Sequence, residues 1–123
     1  MKAMFVNSNG GIPYARLITS GLKKIETRNR DMLRELCGER VAVVYTRRGK
    51  NPLVIGAVDV TGKYFAGVEQ FKAERNLHFV PEGSMYDATG RGKWCYTLEN
   101  AAVCDPFPLP DSAVRHGRSW CEF

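Results

Sequence analysis

Residues 40 to 46, RVAVVYT, and 52 to 62, PLVIGAVDVTG, are two β-branched runs separated only by Arg47-Arg48-Gly49-Lys50-Asn51. β-Branched side chains fit a pleated surface better than a helix, and so short a polar break between two such runs predicts an antiparallel hairpin. Gly56 interrupts the second run and predicts a bend or bulge, the device by which barrels turn their strands. Any fold for this chain must be built around that hairpin.

The flanking segments supply both strands and helices. AMFV (3 to 6) reads as a short strand ended by the turn cluster Asn7-Ser8-Asn9-Gly10-Gly11. Pro13 suits a first helical position, Tyr14, Leu17 and Ile18 share one helical face, and Gly21 supplies a stop, which predicts a helix over 12 to 20. MLREL (32 to 36) predicts a single helical turn before Gly38, and VEQFKAERN (68 to 76) a second helix with Val68 and Phe71 one turn apart. KWCYTLENAAVC (93 to 104) predicts a long strand with Trp94, Tyr96 and Leu98 on one face, directed to the core. DPFPLPD is then extended, and GRSWCEF closes as a final strand. There is no repeat or linker, so residues 1 to 123 are read as one α+β domain: a small mixed β-barrel with two or three flanking helices.

Charge is unevenly distributed. Residues 16 to 50 hold ten Lys and Arg against four acids, while the remainder is close to neutral; the whole chain is +5. Such a one-sided excess suits a polyanion such as RNA or DNA, or a phosphate-bearing small molecule, and equally a solvated basic face. Cys37, Cys95, Cys104 and Cys121 form no C-x-x-C pair, and His78 and His116 stand alone, so neither a metal site nor a cofactor is expected. The apolar run in MKAMFVNSNGG is too short for a signal peptide and no stretch approaches the ~20 apolar residues of a membrane span. The expectation is a cytoplasmic protein with reduced thiols and no membrane partner. GRGKW lacks the pattern of a phosphate-binding P-loop, and Asp105, Asp111, His116 and Ser119 carry no triad motif.

The densest chemistry lies at Gly21-Leu22-Lys23-Lys24-Ile25-Glu26-Thr27-Arg28. Beyond a helix stop at Gly21 an extended backbone places Lys24, Glu26 and Arg28 on one face. Arg28 beside Glu26 would keep the carboxylate ionised. Lys23 is expected at the rim of the same cavity, where its loss would leave the fold intact. An ion pair pinning helix to barrel and a ligand cavity both fit these residues. Tyr45, Arg47 and Arg48, at a strand end, suit base stacking and phosphate contact, and Tyr86 lies in a loop placed to cover a cavity.

The octet fits G-x-K-x-x-E-x-R, and the chain resembles the ASCH domain, a branch of the PUA-like β-barrel superfamily. Cys37-Gly38-Glu39-Arg40-Val41-Ala42-Val43, Val54-Ile55-Gly56-Ala57-Val58-Asp59-Val60, Trp94-x-Tyr96-x-Leu98-Glu99-Asn100 and Gly117-x-x-Trp120 match further parts of the pattern, so the resemblance spans almost the whole chain. It departs at Asn29-Arg30-Asp31, where many members carry Ser or Thr and then an aromatic residue or Pro. The resemblance implies an RNA- or nucleotide-binding module acting in RNA metabolism or translation-related regulation. Its site residues would be Gly21, Lys23, Lys24, Glu26, Arg28, Arg30, Tyr45, Arg47, Arg48 and Tyr86. Its alternative is a small hydrolase, an N4-acetylcytidine-type amidohydrolase or a ribonuclease, with Lys23 and Glu26 as catalytic groups. The amidohydrolase members carry a hydroxyl residue where this chain has Glu26.

Overall fold

The computed structural model describes all residues 1 to 123. In chain order the elements are β1 (Lys2–Asn7), α1 (Tyr14–Thr19), β2 (Ile25–Arg28), a 3-10 turn (Arg34–Leu36), β3 (Glu39–Arg47), β4 (Lys50–Ala66), α2 (Val68–Ala73), α3 (Arg75–His78), β5 (Lys93–Pro108), β6 (Val114–His116) and β7 (Trp120–Glu122). The seven strands form one sheet in the order β2-β5-β4-β3-β1-β7-β6. Only β1 and β3 run parallel; the other neighbours are antiparallel.

The expected barrel takes the form of a curled sheet whose edge strands, β2 and β6, are not hydrogen-bonded to each other. Flat, β2 and β1 would stand about 19 Å apart, four strand spacings. Yet Arg28 of β2 donates from Nη2 to the Phe5 carbonyl of β1 at 2.7 Å. The sheet therefore bends until a single arginine side chain spans its two arms.

The β3–β4 hairpin forms as the β-branched runs require, with Arg47 paired to Lys50 across Arg48-Gly49. At Gly56 the register slips against both neighbours: Ile55 is the extra residue against β3, whereas against β5 the residues Cys104, Asp105 and Pro106 stand opposite Ile55 alone. A Cβ at Gly56 would stand 2.1 Å from the Ala102 oxygen and 2.7 Å from Thr19 Cγ2. Glycine is what lets β5 and α1 approach the sheet here. Tyr14, Ala15 and Ile18 of α1 are buried in a 21-residue core with Val41, Val43, Ile55, Tyr96 and Leu98.

Three expectations are corrected. The second helix is broken at Glu74 into α2 and α3, where the Glu74 carboxylate accepts from the Tyr64 hydroxyl. Trp94 is only half-buried, packing edge-on against Phe65 at 5.5 Å, although Tyr96 and Leu98 are core. The segment read as an extended tail largely continues β5 to Pro108, and β6 has no counterpart among the strands read from sequence. No helix is long and apolar enough to cross a membrane.

Candidate functional site: a lysine–glutamate–arginine cluster beneath a basic cavity

α1 stops before Gly21, whose φ of 82° suits glycine. The next residues are then held by backbone bonds. Lys24 N–H donates to the Leu77 carbonyl and its own carbonyl accepts from Leu98 N–H, both at 2.9 Å, so the chain is pinned between α3 and β5. With Lys24 exposed, Lys23 is the residue that turns inward. It is 2% exposed, among the largest fully buried side chains of the protein. The expected rim lysine is a core lysine.

Its Nζ donates to the carbonyls of Ile25 and His78, each at 2.6 Å, and lies 3.4 Å from Glu26 Oε1. Two of the three ammonium hydrogens are thus bonded to carbonyls, and the charge faces Glu26 at ion-pair distance. Glu26 accepts at Oε2 from Arg28 Nη2 at 2.9 Å. Burial alone would raise the Glu26 carboxyl, but the charges of Lys23 and Arg28 outweigh it and hold the group below its ordinary range. Burial also holds the Lys23 amine below its ordinary value, against the pull of Glu26.

His78 completes the support. Its Nδ1 accepts from Val80 N–H at 2.9 Å, which leaves Nε2–H to donate to the Phe71 carbonyl at 2.7 Å, and the rings of Phe71 and His78 stack. The imidazole is fully buried, and desolvation pushes it down to about 4, so it is neutral at pH 7.

Above the cluster opens a cavity of about 350 Å³. Its wall carries the cations Lys23, Arg28, Arg30, Lys93 and Arg118 against one acid, Glu26. Tyr14 and Tyr86 face each other edge-on at 6.0 Å on the wall, and the Tyr14 hydroxyl is buried without a hydrogen-bond partner.

No family model and no curated protein matches the chain. Solved structures do. A serine-to-alanine variant of ZmASCH from Zymomonas mobilis superposes with a TM-score of 0.72 at 20% identity, covering 98% of this chain and 87% of that one. A tyrosine-to-phenylalanine variant of the same protein gives 0.67 at 22% identity over 89% and 77% of the two chains. ASCH from Zymomonas mobilis gives 0.67 at 21%, over 87% and 73%. The chain has the ASCH fold.

On this ASCH fold, Lys23, Glu26, Arg28, Arg30 and Tyr86 come together in the cavity. Gly21 shapes the turn without lining it, and Lys24 points into a separate shallow groove with Glu74 and Glu99. Tyr45, Arg47 and Arg48 are not cavity residues either. The Tyr45 ring instead carries two guanidiniums, those of Arg16 and Arg47, each 5.9 Å from its centroid. Val6, on the cavity wall, is the register partner of Tyr45, so this patch begins one strand beyond the rim. Tyr14, Lys93 and Arg118 were missed as site residues. Tyr14 reads locally as one more apolar position of a helix, and lone cations in loops or at strand starts carry no pattern.

Proposed function

We propose that this chain binds RNA or a nucleotide, seating one nucleotide unit in the cavity beside Lys23, Glu26 and Arg28. The observation that carries the reading is the cavity wall, with five cations to one carboxylate and two tyrosines. A volume near 350 Å³ lies at the small end of the ~300–1,000 Å³ range of ligand pockets and suits a single nucleotide. Tyr14 and Tyr86 offer aromatic surface to a base, Glu26 an acceptor for an exocyclic amine, and the outer cations suit phosphate. For a longer strand, Arg16, Tyr45, Arg47 and Arg48 continue the positive surface past Val6. Arg16, Arg47 and Arg48 lack a carboxylate partner, whereas Arg28, Arg34, Arg40 and Arg75 have one. Unpaired arginines are what a polyanion meets. A role in RNA metabolism or translation-related regulation in the cytoplasm accords with this chemistry and with four unpaired cysteines.

Anisotropy titrations of a labelled short RNA at two salt concentrations test the reading. Binding should weaken steeply as salt rises, because neutralised phosphates release counterions. Binding independent of salt, or none at low salt, removes it.

The second reading, hydrolysis of an acylated nucleoside or of RNA by Lys23 and Glu26, is favoured by the burial that lowers the Lys23 amine. Against it, Lys23 donates to two backbone carbonyls and is paired with Glu26, an arrangement that holds the ammonium form, which has no lone pair for attack. Turnover of acylated nucleosides or short RNA by the wild type decides between the two.

A further inference from the structure

Lys23, Glu26, His78 and Lys93 are the ionisable members of the buried polar and charged set. Lys23 and Glu26 face each other, and His78 is neutral with both ring nitrogens bonded. Lys93 is different. It opens β5 at 6% exposure, and no carboxylate lies within ion-pair distance of its amine. Its Nζ donates to Asn29 Oδ1 at 2.5 Å, a single neutral acceptor for three hydrogens. Asp87, the acid whose charge it feels most, is already occupied: Oδ1 accepts from Arg75 and Ala88 N–H, and Oδ2 from Gly83 N–H. Burial accordingly lowers the Lys93 amine from its ordinary value.

A desolvated ammonium without a counter-ion is costly, and an apolar residue of the same length would cost less. The position is also held rigidly, since a Cβ at the preceding Gly92 would lie 1.9 Å from the Ala66 oxygen and Lys93 itself pairs with Ala66 in the ladder. Lys93 lines the cavity together with Arg30 and Arg118, and neither arginine has a carboxylate partner. Three unpaired cations lining one cavity match a phosphate, which carries up to two negative charges, better than a singly charged carboxylate.

We propose that Lys93 is the anion-binding residue of the cavity, and that the group it holds is a phosphate monoester. That the phosphate belongs to a nucleotide rests on the function proposed above; the contact itself does not.

The test is a set of NMR titrations of the whole chain with inorganic phosphate, a neutral nucleoside and the corresponding nucleoside monophosphate. Wild type, Lys93→Met and Lys24→Met (an exposed cation outside the cavity) are compared, with melting temperatures measured alongside. Lys93→Met should weaken phosphate and monophosphate on the order of 10- to 100-fold, the worth of one charge-assisted hydrogen bond. It should leave the nucleoside unchanged and melt at the same temperature or higher, while Lys24→Met behaves as wild type. Equal phosphate affinity in wild type and Lys93→Met overturns the inference, as does a wild type that binds neither phosphate nor monophosphate. A lower melting temperature in Lys93→Met also overturns it, by making Asn29 the reason for the amine. Phosphate held through Lys93 without any preference for nucleotides supports the inference and removes the nucleotide reading. Nucleotide binding that ignores Lys93 does the reverse.

Discussion

Replacing Lys23 by methionine removes a buried ammonium while keeping a side chain of similar length. Two carbonyls, of Ile25 and His78, lose their 2.6 Å donor, and Glu26 keeps only Arg28 as counter-charge. An orphaned buried acceptor costs about 1–3 kcal/mol, and breaking a buried ion pair from one side about 3–5 kcal/mol in all. Against a total stability of about 5–15 kcal/mol, that is a large fraction. For a domain of this length the melting temperature should fall on the order of 10–25 °C. Urea unfolding followed by far-UV circular dichroism and by Trp94 and Trp120 fluorescence reads the loss, which should appear in the midpoint with the slope unchanged. Combining Lys23→Met with Glu26→Gln should restore about 0.5–3 kcal/mol of the summed losses, because the two groups are coupled. A Lys23→Met protein within about 1 kcal/mol of wild type would refute the claim that these bonds hold α3 to the start of β2. The same result would restore the expectation that Lys23 is a dispensable rim residue.

Four further outcomes are expected. Because burial holds His78 near 4 instead of 6.5, its neutral state stabilises the fold fully above pH 6.5 and progressively less as pH falls toward 4, by up to about 3 kcal/mol. Urea midpoints that stay flat between pH 7 and 5 would contradict this; the depressed carboxylates act at lower pH. Gly56→Ala should cost on the order of 1–3 kcal/mol by thermal melting, since its methyl meets the Ala102 backbone oxygen, and a neutral result would mean β5 is free to shift. Tyr14→Phe removes a buried hydroxyl that has no partner and should leave stability unchanged or raise it by about 1 kcal/mol; a clear loss in denaturation would expose a bond the structure lacks. Arg47→Gln should reduce the slope of log affinity against log salt for short RNA by about one phosphate contact, and an unchanged slope would separate the Tyr45 patch from the binding surface.

Local chemistry made much of this molecule readable from its residues alone. The β3–β4 hairpin, the bulge at Gly56 and helix α1 follow from β-branched runs and from Pro and Gly punctuation, each acting within a few residues. The pairing of Glu26 with Arg28 follows from alternation along one short strand. What lies beyond reach of the local pattern depends on partners far away in the chain. Lys23 is buried because His78, 55 residues on, brings a carbonyl to it, and the break between α2 and α3 that places His78 was not visible in VEQFKAERN. The curl of the sheet is legible only where Arg28 meets Phe5. Lys93 joins Asn29, 64 residues earlier, at the wall of one cavity, while Lys24, inside the motif, turns away from it. A motif names the residue types available to a site; which of them lose their water, and which are left there without a counter-charge, depends on packing between segments that share no local pattern.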